Sequence, residues 1–261
     1  MTVLVATEGG ATGQELLAAA KILAMTAGWK VAVVHVRSTA DDPPLDLPAA
    51  LLEGVAVTEV EGDPAAEVLR LAAGDDIKVV AFALRDDERS GHGHVADALL
   101  RSSPKALFVL RPDMPPLQSL RRLLVPLEGS PSSSDAMHFA DDAFCAPGRE
   151  IILLHVVTSD SPAEPGSMSA PRMVDQEHYE WASWQEEFRM RFAQCPKGGR
   201  HRVVLRVGEA SETIVTEATS FGVEMVVVSW AQNLDEGHAE QVRHLIAHSP
   251  RPLLLVQSRA D

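Results

Sequence analysis

Two acid–glycine pairs, Glu8-Gly9 and Glu128-Gly129, each follow a short apolar run, 120 residues apart. A glycine at such a point lets a ligand approach the backbone closely. Two further sets carry glycine beside histidine, Gly91-His92-Gly93-His94 and Gly237-His238. His244 and His248 have the four-residue spacing with which a helix can share a metal ion. No acid or cysteine is evident beside them, and their first-copy counterparts are Ala98 and Ser102, so they read as surface histidines and no metal ligands are assigned. The acid pairs Asp41-Asp42, Asp86-Asp87 and Asp141-Asp142 fall in loops or on helix surfaces and read as solvated carboxylates. Ser132-Ser133-Ser134-Asp135 suits a helix start better than a nucleophile, because no Gly-x-Ser-x-Gly turn surrounds it. No set of these residues makes a catalytic constellation, so the expectation is a protein that is not an enzyme.

The elements that must position these residues occur twice. Val3–Gly9 aligns with 123–129, and His35-Val36 with His155-Val156, at an offset of 120; Gly62-Asp63, Gly91-His92 and Pro104 align with Gly208-Glu209, Gly237-His238 and Pro250 at 146. The second copy therefore carries a net insertion of 26 residues. A repeat this long is a domain rather than a solenoid unit. Within each copy, short β-branched and apolar runs alternate with helical spacing in the pattern β-α-β-β-α-β-α-β. Gly28 stops the first helix, and Asp63-Pro64 supplies an N-cap and a proline for the next. Strands this apolar must be covered on both faces, which indicates an α/β architecture. The expected division is residues 1–112, a proline-bearing linker over 113–119, and residues 120–261 with an insertion over about 158–193. The stretch 173–192 lacks Pro and Gly, and its Tyr179, Trp184, Phe188 and Phe192 fit one aromatic helix face that roofs a core, covers the site or meets a protein partner. His35 and His155 end the second strand of each copy and are expected to be hydrogen bonded near the domain interface.

A formal net charge of −14 disfavours nonspecific binding to nucleic acid or anionic membrane. Cys145 and Cys195 have no counterparts in the first copy and read as incidental reduced thiols. No apolar run is long enough to span a membrane, and a cytoplasmic protein is expected.

The run Val-Pro-Leu-Glu-Gly-Ser (125–130), His155-Val156 and the closing segment 242–256, Val-Arg-His-Leu-Ile-Ala-His-Ser-Pro-Arg-Pro-Leu-Leu-Leu-Val, resemble a universal stress protein domain. Leu-Val-Ala-Thr-Glu-Gly (4–9), His35-Val36 and residues 98–109 resemble the same pattern. The resemblance implies two tandem open parallel five-stranded sheets, order 3-2-1-4-5, of the adenine nucleotide alpha hydrolase-like type. It also implies an intrachain pair of domains joined through the fifth strands, and a homodimer is a further expectation. ATP or AMP is the implied ligand, lying beyond strands one and four where the strand order reverses. On this resemblance the ligand residues are Glu128, Gly129, Ser130, Val156, Gly237 and His238 in the second copy, and Glu8, Gly9, Val36, Gly91 and His92 in the first.

Both copies depart from the ATP-binding pattern. Glu8 and Glu128 stand where that pattern has Asp, and the loops Leu84-Arg85-Asp86 and Trp230-Ala231-Gln232 lack its first glycines. Trp230 is expected to crowd the position of the phosphates. The sequence thus points to a non-catalytic stress-response or regulatory protein with a degenerate nucleotide site. The alternative is an ATP- or AMP-binding sensor, with weak or no hydrolysis, whose site is in the second copy.

Overall fold

The computed structural model describes residues 1–84, 94–112, 114–127, 134–157, 195, 198–232 and 238–258, with the side chains of His238 and Ala239 outside that description. The first half runs β1 (Thr2–Ala6), α1 (Gly10–Ala27), β2 (Lys30–Arg37), α2 (Ala49–Leu52), β3 (Ala56–Glu61), α3 (Pro64–Ala72), β4 (Ile77–Ala83), α4 (His94–Ser102) and β5 (Ala106–Leu110). The second runs β6 (Arg122–Leu127), α5 (Ser134–Phe144), β7 (Glu150–Val157), β8 (Arg200–Val207), α6 (Ala210–Ser220), β9 (Met225–Trp230), α7 (His238–His248) and β10 (Leu253–Gln257). Local chemistry explains the helix ends. Gly28 closes α1 in the left-handed conformation at φ 72°. Asp63 caps α3 by accepting from the Ala66 N–H at 2.8 Å. Glu209, its counterpart, caps α6 by accepting from the Glu212 N–H at 2.7 Å. The single turn α2 was not foreseen, because the segment before it reads as a proline-rich loop.

Strand order is β3-β2-β1-β4-β5-β10-β9-β6-β7-β8, so each half has the expected 3-2-1-4-5 order but the two halves share one ten-stranded sheet. They join through antiparallel pairing of β5 with β10, with Leu254 opposite Phe108; all other strand pairs are parallel. Two fifth strands left as open edges would present unpaired N–H and C=O groups, and pairing them removes both edges.

The core follows the period of two along the strands. Val3, Val5, Phe108, Leu123, Val125 and Leu254 face α1 and α5, whereas Leu4, Leu107, Leu124 and Leu255 face α3, α4, α6 and α7. Each of these two clusters is continuous across both halves. The two halves therefore do not bury separate cores; the cores run one per sheet face. Met114, in the segment expected to be a linker, and Leu120, at the expected start of the second half, are buried in the first cluster.

The seam is fastened by side chains that cap the opposite half's helix. The Trp230 indole N–H donates to the Leu100 carbonyl at 2.8 Å, and Gln232 donates to the Ser103 carbonyl. In return, Arg111 donates to the carbonyls of Ile246 (3.1 Å), Ala247 and Ser249 (3.0 Å). These are the carbonyls that a helix C-terminus leaves without partners. Trp230 is 2% exposed, so its side chain is anchored in the seam, which corrects its expected placement at a phosphate position. Among the described residues no helix is long and apolar enough to cross a membrane.

Candidate functional site: a crevice at the first strand-order reversal

β1 pairs with β2 on one side and β4 on the other, so the connections leaving the carboxyl ends of β1 and β4 diverge to opposite faces. Between them lies a crevice of about 450 Å³. Its apolar wall includes Leu16, Val34, Val36, Val68 and Phe82, and its polar rim is Thr7, Glu8, Thr12 and His94. The first turns of α1, α3 and α4 contribute Thr12, Pro64 and Val95 to the lining. Helix N-termini carry unpaired N–H groups and a partial positive charge, which at α1 and α4 favours an anionic group, whereas Pro64 offers no N–H and the Asp63 carboxylate already caps α3. Glu8, solvent-exposed on the rim, opposes it in sign.

The turn after β1 is built on backbone freedom. Gly9 adopts φ 90° and ψ −154°, and a Cβ there would lie 2.8 Å from the Asp46 carbonyl oxygen. The close approach arises because the connection after β2 folds back over the turn. Gly9 bridges Asp46, and the Gly10 N–H donates to the Asp46 carbonyl at 2.9 Å. Thr7 Oγ1 accepts from the Gly9 N–H at 3.0 Å, and a Cβ on Gly13 would come within 2.5 Å of that same oxygen. Glycine is required at 9 by conformation and at 13 by space.

His35 locks this arrangement. It is 4% exposed, with Nδ1 3.1 Å from the Thr7 carbonyl oxygen and Nε2 3.1 Å from that of Pro43. His155 repeats the first contact, with Nδ1 2.8 Å from the Leu127 carbonyl oxygen. The expected hydrogen bonding is present, but the location differs. β2 and β7 are separated from the seam by three strands, so these histidines tie the β1 and β6 ends rather than the domain interface.

Of the first-copy residues expected to hold a ligand, Glu8, Gly9 and Val36 line the crevice together. Gly91 and His92 lie outside the described residues, but His94, which follows them, heads α4 on the rim with Nε2 3.7 Å from Asp63 Oδ2. In the second copy Val156 lies near the end of β7 and His238 begins α7, while Glu128, Gly129, Ser130 and Gly237 lie outside the described residues. So does the aromatic stretch 173–192. Sequence reasoning missed Thr7, Thr12, Val34 and Phe82. Val34 is legible in hindsight, because it precedes Val36 by two and shares its face of the strand.

The universal stress protein family model matches residues 119–257. The chain belongs to that family. Among solved structures, the universal stress protein from Archaeoglobus fulgidus is 15% identical, covering 98% of this chain and 96% of its own, with a TM-score of 0.65. A functionally unknown protein from Pseudomonas aeruginosa PAO1 is 11% identical over 98% of this chain and 92% of its own, also at 0.65. A universal stress protein family protein from Arabidopsis thaliana, solved with AMP bound, is 16% identical over 54% of this chain and 93% of its own, at 0.37. A search of curated proteins gave no match. Because the two full-length likenesses cover both halves, the tandem arrangement of this universal stress protein is shared with other solved chains.

The remaining polar cluster is in the second half and contradicts two expectations. Asp141 is 7% exposed on the inner side of α5, where its Oδ1 lies 2.6 Å from His201 Nε2, rather than being solvated. Cys145 and Cys195 are joined as a disulfide, with Cα atoms 5.7 Å apart, rather than standing as separate thiols. Sequence spacing could not bring these residues together, because 50 positions separate the cysteines and only the tertiary approach of the α5 end to the segment before β8 closes the gap.

Proposed function

We propose that this universal stress protein acts by binding rather than by catalysis, as a stress-response or regulatory protein whose first-half crevice takes a small anionic ligand. The observation carrying this reading is the convergence of Glu8, Gly9 and Val36 on one cavity with an apolar wall and the first turns of α1 and α4. A flat apolar group fits against Val34, Val36 and Phe82, and an anionic group fits toward the first turn of α4. Among the described lining residues the titratable side chains are Glu8 and His94, and the second already faces Asp63. That supports recognition more than acid–base chemistry. An adenine nucleotide is the reference ligand, and weak affinity is expected because the loops after β4 and β9 lack the first phosphate-cradling glycines.

Calorimetric titration with AMP and ATP tests the proposal. Saturable binding at submillimolar nucleotide without ATP turnover is the expected result, and Val36→Trp should weaken it at least tenfold by filling the crevice. If Val156→Trp abolishes binding and Val36→Trp does not, the ligand belongs to the second half, where Leu127-Glu128-Gly129-Ser130 keeps more of the family pattern. No binding at millimolar nucleotide ends the nucleotide reading, and specific turnover ends the non-catalytic one.

A further inference from the structure

We propose that Asp141, Cys145 and His201 form a site for a zinc-class divalent cation, and that the disulfide to Cys195 gates it. Ligand atoms of the three residues lie within 4.8 Å of one another. Thiolate, imidazole and carboxylate together make a donor set suited to zinc, with three protein ligands leaving a fourth position for water or for Cys195. Asp141 lies in the last turn of α5 and Cys145 directly follows that helix, its N–H donating to the Asp141 carbonyl at 3.3 Å, while His201 approaches from β8. The site is buried: Cys145 is 2% exposed and the side chain of His201 3%.

Charge decides how such a cluster can be occupied, because unbalanced charge is costly away from water. A carboxylate and a thiolate carry two negative charges, which one divalent cation neutralises. With the disulfide closed there is no thiolate, and Asp141 is satisfied by its 2.6 Å contact with His201. The cluster thus has two occupancies in which Asp141 is partnered, one oxidised and metal-free with His201 as its partner, the other reduced and metal-bound.

The backbone beside the sulfurs favours opening. The Gly199 N–H points at Cys195 Sγ at 2.9 Å, and a Cβ on Gly199 would lie 2.8 Å from either sulfur. A directed N–H stabilises a developing thiolate, which makes Cys195 the better leaving sulfur. A dithiol reductant attacks Cys145 Sγ and expels Cys195 as thiolate; its second thiol then displaces Cys145, leaving two protein thiols and an oxidised reductant. The cation replaces the Cys145 thiol proton, which goes to solvent. The first copy has Lys21, Met25 and Val55 at the repeat positions of Asp141, Cys145 and His201, so the site belongs to the second half alone.

The test uses the full chain, purified without a histidine tag and titrated with Co²⁺ as spectroscopic probe. Reduced wild type should take up one equivalent and show a thiolate-to-cobalt charge-transfer band that Zn²⁺ abolishes. Oxidised wild type should show none. Cys195→Ser, which cannot close the disulfide, should bind without reductant, whereas Cys145→Ser loses the band and His201→Gln weakens binding at least tenfold. Circular dichroism establishes that each variant is folded. The proposal is overturned if reduced wild type and folded Cys195→Ser both fail to bind micromolar Co²⁺ and Zn²⁺, or if folded His201→Gln binds as tightly as wild type.

Discussion

Replacing Gly9 by alanine should damage the crevice far more than the same change at the adjacent Gly10. At Gly9 the backbone, φ 90° and ψ −154°, is in a region that a side chain disfavours; such strain costs about 1–3 kcal/mol. The added Cβ would also meet two backbone atoms of Asp46, its oxygen at 2.8 Å and its nitrogen at 2.9 Å. Neither atom can rotate away. Relief requires shifting a segment held by the Gly10 N–H to Asp46 bond and by His35 at Pro43, and each lost hydrogen bond adds about 1 kcal/mol. The total for Gly9→Ala is about 2–5 kcal/mol. Gly10 has φ 67° with nothing within 4 Å of an added Cβ. Its cost is the left-handed penalty of about 1–2 kcal/mol, less about 0.4–1 kcal/mol from stiffening the unfolded chain. The same stiffening applies at Gly9, so at mid-range the two variants should differ by about 2 kcal/mol in urea unfolding followed by circular dichroism, at similar m-values. Equal destabilisation, or a harmless Gly9→Ala, would show that the connection after β2 does not clamp the turn and would remove the physical basis of the site geometry.

Two further outcomes follow from the seam and the caps. Trp230→Phe keeps an aromatic ring but removes the donor to Leu100, and the uncapped buried carbonyl should cost about 1–3 kcal/mol in urea unfolding; an unchanged midpoint would mean that the indole hydrogen bond does not fasten the halves. The Glu209 carboxyl is held below its ordinary value of 4.5, first by the Glu212 N–H and also by Ser211, against a smaller opposing effect of burial. A depressed folded value makes the carboxylate stabilising above the unfolded value and removes that contribution as pH falls through the folded one. The melting-temperature gap between wild type and Glu209→Gln should therefore be fully open at pH 7 and close on acidification below about 4.5, remaining small because the group faces solvent. A gap that does not narrow on acidification before the protein unfolds would refute the capping role of the charge.

Local chemistry made most of the architecture legible. Apolar strand runs, Gly28, Asp63-Pro64 and the repeat offsets placed the described strands and long helices within a few residues. Glu8, Gly9 and Val36 were expected at one site through the family resemblance, and they line one crevice because the ends of β1 and β2 lie beside the strand-order reversal. Thr7 and Thr12 were not legible, since neither differs in type from many exposed threonines. The same holds for the Asp46 crossing, which depends on where a proline-rich connection folds back.

The duplication and the α/β alternation are properties of the sequence by itself, because each is set by residue type and spacing along the chain. That the two halves share one sheet and two face-wide cores was decided only in three dimensions, by antiparallel pairing of β5 and β10. Trp230 was drawn to the seam by the free carbonyls of α4, and Asp141 was turned inward by a histidine 60 residues away. Partners so distant in sequence leave no periodic signal: the paired strands and capped carbonyls of the seam follow the repeat, but Trp230 and His201 stand where the first half has Leu84 and Val55.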